Sequence, residues 1–237
     1  MDSGCGTGRS TKLLANNMHP RHLVIGVDRS LARLTKTKDN RKAEGDSDSD
    51  SENTKDDSAS SSDRETYCHR VSKNGYLVRA ELVDFWRCCI KQGWVCDDDK
   101  KRENADSGSN LKVTHHYMLY PNPYPTKARL SSRWYAHPSF PLILKLGIPT
   151  MIIRSNWEGY LNEFAQAIDM ANDFYEDDNN QDGITGSPTN LALPYLSSAK
   201  KGPAERIDKS IALTNFESKY DNVGESTFEL RLERDEI

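Results

Sequence analysis

Apolar and polar positions alternate along the chain in short blocks of two kinds. "HLVIGVD" (22–28) is a continuous apolar run ending on a carboxylate, the pattern of a parallel strand buried on both faces. "GYLVRA" (75–80), "KVTHHYMLYP" (112–121) and "TMIIRS" (150–155) also read as strands. Between them lie segments with apolar residues at helical spacing: 10–17, 30–36, 81–94, 141–147 and 160–175. In 81–94 the residues Leu82, Phe85, Trp86, Cys89 and Ile90 share one face, and Gly147 closes the helix before it. "STFELRLER" (226–234) alternates strictly, as an edge or antiparallel strand does. This order predicts an α/β fold: a doubly wound sheet, mostly parallel with an antiparallel last strand, that binds ligands at the carboxyl ends of its strands.

Composition changes the picture in one place. Apolar residues make up 35% of the 237, low for a chain that packs throughout, while the length suits one domain spanning 1–237. Residues 44–63 hold eight carboxylates against Lys55, a net of −7 with no large apolar side chain. That composition cannot offset its ordering entropy, so an insertion over 38–66 is expected to be disordered. The chain's total is −4, so the remainder carries +3 and is mildly basic. Residues 97–110 and 176–189 read as further polar insertions. Five cysteines without a C-x-x-C argue against a disulfide framework or a metal site, and for an intracellular location, in nucleus, cytoplasm or an organelle. No apolar run approaches the ~18 residues of a membrane span.

The chain begins "MDSGCGTGRS". In a doubly wound sheet the glycines belong in the turn after the first strand. Gly4, Gly6 and Gly8 would let the backbone approach a ligand and aim amides at it. Asp28, ending the neighbouring strand, could accept both hydroxyls of a ribose. The dinucleotide fingerprint G-x-G-x-x-G would need glycine where Arg9 stands, and the P-loop ending is absent. The alternate-glycine form D-x-G-x-G-x-G resembles motif I of class I methyltransferases that use S-adenosyl-L-methionine. The apolar strand expected before the glycines is largely missing, so the chain is read as amino-terminally truncated.

"YPNPYPTKARLSSRWYAHPSF" (120–140) is punctuated by three prolines, then turns basic with aromatics interleaved. Over 121–160, five cations face one carboxylate. Cations for phosphates and rings for bases, beside a cofactor mouth, point to a nucleic-acid substrate.

That segment resembles the P-D-P-W-x-K-x-R-x-x-K-R-R signature of the tRNA (guanine-N7)-methyltransferase family, with Pro121, Pro123, Pro125, Lys127, Arg129 and Arg133 on the pattern. "RSNWEGY" (154–160) is similar to the family's T-D-W-E-P-Y segment, and 214–234 resembles its closing T-x-F-E-x-K/R, glycine and final strand. The resemblance implies a Rossmann-like methyltransferase sheet and methyl transfer from S-adenosyl-L-methionine to N7 of a guanine in the tRNA variable loop. It also implies a WD-repeat protein as a possible partner subunit.

Guanine N7 has an in-plane lone pair and no proton to lose, so the enzyme must align rather than deprotonate it. On this logic Gly4, Gly6 and Gly8 hold the cofactor's amino-acid end and Asp28 its ribose, with Arg29, Ala80, Glu81 and Tyr120 completing the cofactor site. Asn122, Thr214 and Glu217 line the guanine pocket. Lys127, Arg129, Arg133, Arg154 and Asn156 face the RNA, and Lys219 orients Glu217. Two positions depart from the family: its carboxylate between the prolines is Asn122, and its T-D pair is Ser155-Asn156. The amides keep an acceptor but lose the negative charge. Two alternatives follow: a weakly active or inactive cofactor-binding, tRNA-binding subunit, or a class I methyltransferase with another RNA substrate. A nicotinamide-dependent oxidoreductase is disfavoured by Arg9.

Overall fold

Parallel strands need helical crossovers, and the chain supplies them in turn. The computed structural model describes residues 1–36, 67–94, 111–180, 204–207 and 212–233. The expected insertions 38–66 and 97–110 lie outside them. Among the described residues the order is β1 (Asp2–Ser3), α1 (Arg9–Asn17), β2 (Val24–Asp28), α2 (Leu31–Leu34), β3 (Cys68–Arg70) and β4 (Gly75–Arg79). Then come α3 (Leu82–Lys91), β5 (His115–Leu119), two 3-10 turns (Lys127–Ser132 and Trp134–Ala136), α4 (Phe140–Lys145) and β6 (Thr150–Ser155). α5 (Glu158–Asn180), β7 (Glu205–Arg206), α6 (Asn215–Asn222) and β8 (Phe228–Glu233) complete it. Helix α5 runs through the first residues of the polar stretch 176–189; the rest of that stretch lies outside the described residues.

The strands form one eight-stranded sheet in the order β3-β4-β2-β1-β5-β6-β8-β7. β4, β2, β1, β5 and β6 are mutually parallel. β8 runs antiparallel to β6, as its alternation predicts, and pairs antiparallel with β7. β3 adds an antiparallel edge beside β4. This is the doubly wound, Rossmann-like sheet read from the sequence, mostly parallel with an antiparallel last strand. Its strand order reverses at β1, so the crevice outside β1 and β5 is where such sheets take ligands. β1 is only two residues long but sits mid-sheet, pairing Asp2 with Gly26 on one side and Tyr117 on the other.

Period-2 alternation splits the core between the two faces. Met118, Met151 and Ile153 point to one side, where Trp86, Ile143, Leu146, Tyr160, Leu161 and Phe164 pack from α3, α4 and α5. Tyr117, Leu119 and Ile152 point to the other, against Leu14 and Ala15 of α1. Each fully buried Leu, Ile or Phe contributes about 1.5–3 kcal/mol. The α3 face predicted from spacing is the one that packs: Trp86 and Cys89 are buried, with Leu82, Phe85 and Ile90 against the same cluster.

Helix α1 lies close to the sheet because Gly26 has no side chain; a Cβ there would stand 2.1 Å from Thr11 Oγ1. The approach lets Ser10 and Thr11 each donate a 2.7 Å hydrogen bond to Asp2 Oδ2. Burial pushes the Asp2 carboxyl up, against those two donors. On the sheet's other side Trp86 Nε1 donates to Ser3 Oγ at 3.2 Å, and Ser3 Oγ lies 2.8 Å from His116 Nε2. Burial lowers His116 to about 3, so its ring is neutral. These buried polar contacts anchor the strand from which the glycine turn springs.

Candidate functional site

The turn after β1 is left-handed at all three glycines, with φ of 78°, 58° and 78° at Gly4, Gly6 and Gly8. A Cβ at Gly4 or Gly6 would meet nothing within 4 Å, whereas one at Gly8 would strike Leu77 Cδ1 at 2.5 Å. Gly8 is therefore fixed by packing, while Gly4 and Gly6 leave clear space at the switch point.

The amides do not point outward as the sequence reading expected. Gly4 N and Cys5 N donate to Val27 O, and Gly8 N to Cys5 O. Gly6 N donates to Asp28 Oδ2 at 3.0 Å, and Ser30 N to Asp28 Oδ1 at 2.8 Å. Asp28 is thus the pin that closes the turn onto β2. Asp28 is itself buried, 5% exposed, and Oδ2 also stands 3.9 Å from Arg33 Nη1, so its first role is to hold the turn and a ribose diol reaching it would use only the lone pairs left over. Clear space at Gly4 and Gly6 with a carboxylate behind them fits the nucleoside end of S-adenosyl-L-methionine. Ala80 N donates to Asp28 O at 3.2 Å, placing the end of β4 beside this carboxylate. Above it, exposed Arg29 and Glu81 pair at 3.7 Å across the ends of β2 and β4.

The neighbouring strands bring the other expected segments to the same edge. Tyr120, just past β5, has φ 56° and donates its amide to Arg154 O at 2.8 Å. Burial, then Glu217, push its phenol up, so it stands as a protonated hydroxyl rather than a base. Asn122 and Asn156, at the ends of β5 and β6, are both exposed. Asn122 Oδ1 accepts from Tyr124 N at 3.3 Å. Arg9 of α1 reaches across to Asn215 Oδ1 at 3.2 Å and Ala212 O at 3.4 Å, fastening the segment before α6 to the glycine turn.

Five expected roles change with this geometry. Thr214 is the N-cap of α6 and forms a reciprocal capping box with Glu217. Glu217 is 3% exposed; Oε1 accepts from Arg154 Nη1 at 3.0 Å, and Oε2 from the amides of Leu213 and Thr214. Its oxygens are committed, so it builds the pocket wall rather than reading a guanine edge. Arg154 also donates to Glu229 Oε2 at 2.8 Å, so two of its three nitrogens are held by carboxylates in a side chain only 14% exposed. Arg154, not Lys219, orients Glu217; Lys219 is exposed on α6.

Arg133 is the fifth. Its side chain is 6% exposed, with Nη1 2.5 Å from Glu163 Oε2 and 2.7 Å from Tyr135 Oη. Nε and Nη2 donate to Tyr124 O, and the guanidinium lies 4.9 Å from the Trp157 ring centroid. Tyr135 Oη also donates to Glu163, and burial together with that carboxylate pushes the Tyr135 phenol up to about 12. Arg133 therefore staples the proline segment to α5, while Lys127 and Arg129 on the 3-10 turn stay exposed. Arg129 stacks over Tyr124 at 6.0 Å. Arg133→Met is expected to destabilise the protein by about 1–3 kcal/mol and to speed proteolytic cleavage within 121–133. Urea melts and limited proteolysis check this; unchanged cleavage would refute the staple.

Sequence reasoning missed α6, Arg9 and the Tyr120–Phe216–Tyr220 stack. A Thr-x-x-Glu capping box and the i,i+4 spacing of Phe216 and Tyr220 were the available signals. A cavity of about 300 Å³ lined by Met1, His22, Val24, Trp94, His115 and Tyr117 opens at the amino-terminal ends of the strands. None of the expected site residues lines it. Among the described residues no group of three or more His, Cys, Asp or Glu could hold a metal, and no helix is long and apolar enough to cross a membrane.

No family model matches the chain, and no curated protein sequence matches it. The resemblance of 120–140, 154–160 and 214–234 to the tRNA (guanine-N7)-methyltransferases therefore stands on those residues alone. Among solved structures, one described as an antibiotic-related methyltransferase superposes with a TM-score of 0.38 at 12% identity, covering 98% of this chain and 84% of that one. A superposition that loose says nothing of substrate; strand order and direction define the fold.

Proposed function

We propose that the chain transfers a methyl group from S-adenosyl-L-methionine to N7 of a guanine in tRNA. What carries the reading is convergence. The glycine turn, Asp28, the proline segment, Asn156 and the 212–217 segment are far apart in sequence yet gather at the carboxyl ends of the central strands. The bonds Gly6–Asp28, Arg9–Asn215, Tyr120–Arg154 and Arg154–Glu217 join them.

The cofactor supplies an electrophilic methyl on a sulfonium. Every other task falls to this chain. Gly4 and Gly6 give clearance, Asp28 takes the ribose, and Arg29, Ala80 and Glu81 flank the base. Tyr120 closes the cofactor site from β5. Asn122 and Asn156 present amide oxygens to the N1–H and N2–H₂ donors of guanine. Lys127, Arg129 and Lys219 take phosphates, and Thr214, Glu217, Arg133 and Arg154 hold these groups in place. Attack by N7 needs alignment, which the rigid edge provides.

Incubating the chain with labelled S-adenosyl-L-methionine and unmodified tRNA tests the activity. Asp28→Ala is expected to weaken cofactor binding at least about tenfold, since it removes the diol acceptor and unpins Gly6. Calorimetric titration reads this, and an unchanged affinity would place the cofactor elsewhere. The amides at Asn122 and Asn156 favour a second reading, a tRNA-binding subunit that holds the cofactor without methylating. Cofactor binding with no label on guanine would select it. A WD-repeat partner belongs to the same proposal, and co-purification with such a protein tests it.

A further inference from the structure

We propose that Phe216 is a stacking platform for an unpaired RNA base beside the acceptor site. Phe216 is 57% exposed, a large aromatic ring turned to solvent at the start of α6. It stacks on Tyr120 at 6.1 Å and 20°, and Tyr120 stacks in turn on Tyr220 at 6.1 Å and 29°. Tyr120, itself backed by Tyr220, supports one side of the Phe216 ring, whose exposure leaves the other to solvent. Tyr120 takes up this position with a left-handed backbone, φ 56°, which an aromatic residue adopts only under constraint. That strain sits at the carboxyl end of β5, beside the switch point.

The surroundings identify the occupant. Arg9 is hydrogen-bonded to Asn215, the residue before Phe216, and is exposed. Lys219 lies one helical turn beyond and is exposed too. An open ring with exposed Lys219 one turn beyond and the positive charge of Arg9 fixed beside Asn215 matches one nucleotide step: the base on the ring and a phosphate on Lys219. Base–aromatic stacking is sequence-tolerant, so Phe216 would hold an unpaired nucleotide next to the methylated guanine without dictating its identity. A peptide ring could also stack there, but it would leave Lys219 without an anionic partner. The inference rests on the RNA half of the proposed function, and not on methyl transfer.

A short single-stranded RNA carrying 2-aminopurine, whose emission falls when it stacks, is the probe. The full chain is expected to quench it. Phe216→Ala should abolish quenching and weaken binding, read by anisotropy, at least about tenfold. Phe216→Trp should restore both. Phe216→Leu keeps bulk and folding while removing the π face, and it too should fail to quench. Quenching that survives in Phe216→Ala or Phe216→Leu, or binding by the parent chain without quenching, overturns the platform, as does no RNA binding at all. A parallel cofactor titration separates the two proposals. Cofactor bound without quenching sinks the platform alone; quenching without cofactor bound sustains the platform and sinks methyl transfer.

Discussion

Replacing Arg154 with methionine is expected to destabilise the protein by about 3–5 kcal/mol, because it strands a buried carboxylate. Glu217 has a side chain only 4% exposed, and Arg154 is its ion-pair partner at 3.0 Å. Glu229, 24% exposed, loses its 2.8 Å contact as well but can turn to water. For a chain of this size, each kcal/mol lowers Tm by roughly 2–4 °C, so the melt should fall well beyond scatter. The double variant Arg154→Met with Glu217→Gln separates charge from packing. Glutamine still accepts a backbone amide through its carbonyl oxygen, and no charge remains to be stranded. It should recover more than half of the loss. If Arg154→Met melts within about 1 kcal/mol of the parent, the ion pair is not a structural element and Arg154 is available for another role.

The same pair shows where sequence reading ran out. The strands were legible because continuous apolar runs and strict alternation depend on local periodicity. β6 has the predicted bounds, and β2, β4 and β8 lie within theirs. The glycines and Asp28 were legible as a pair because a turn and a strand end have positional signatures. Their hydrogen-bond directions were not. Whether an amide faces a ligand or Val27 O depends on how the turn sits over the next strand. Arg133 and Arg154 were read as free cations from the net charge of their neighbourhood. Their partners, Glu163 and Glu217, stand 30 and 63 residues away, and only the fold brings them within bonding distance. β3 and β7, three and two residues long, carry too little pattern to be seen and exist through pairing with β4 and β8. Glu217 shows the same limit from the other side: a capping box and a catalytic carboxylate can share one sequence signature, and only burial tells them apart.

Under the proposed methyl transfer to guanine N7, placing carboxylates at positions 122 and 156 is expected to raise the rate. As methyl reaches N7, positive charge spreads over the guanine ring, and fixed negative charge beside it stabilises the transition state more than the ground state. A charge-assisted hydrogen bond contributes ~1.5–3 kcal/mol where a neutral one contributes ~0.5–1.5, so the exchange adds about 1–1.5 kcal/mol at each position, or roughly one decade in kcat. Both residues are exposed at strand ends, so a new charge meets little desolvation cost. Asn122→Asp also keeps the acceptor that Tyr124 N uses at 3.3 Å, and Lys127 and Arg129 on the next turn offset its charge. The gain should therefore appear in kcat, with the KM for the cofactor unchanged, because neither residue touches the glycine turn. Single-turnover assays with saturating tRNA read the step directly. Asn122→Ala serves as the opposite control and should lower whatever rate the parent shows. If the double aspartate variant binds cofactor and tRNA like the parent yet methylates no faster, the ends of β5 and β6 do not face the reacting base. The guanine pocket would then have to be sought nearer Phe216 and Lys219 on α6.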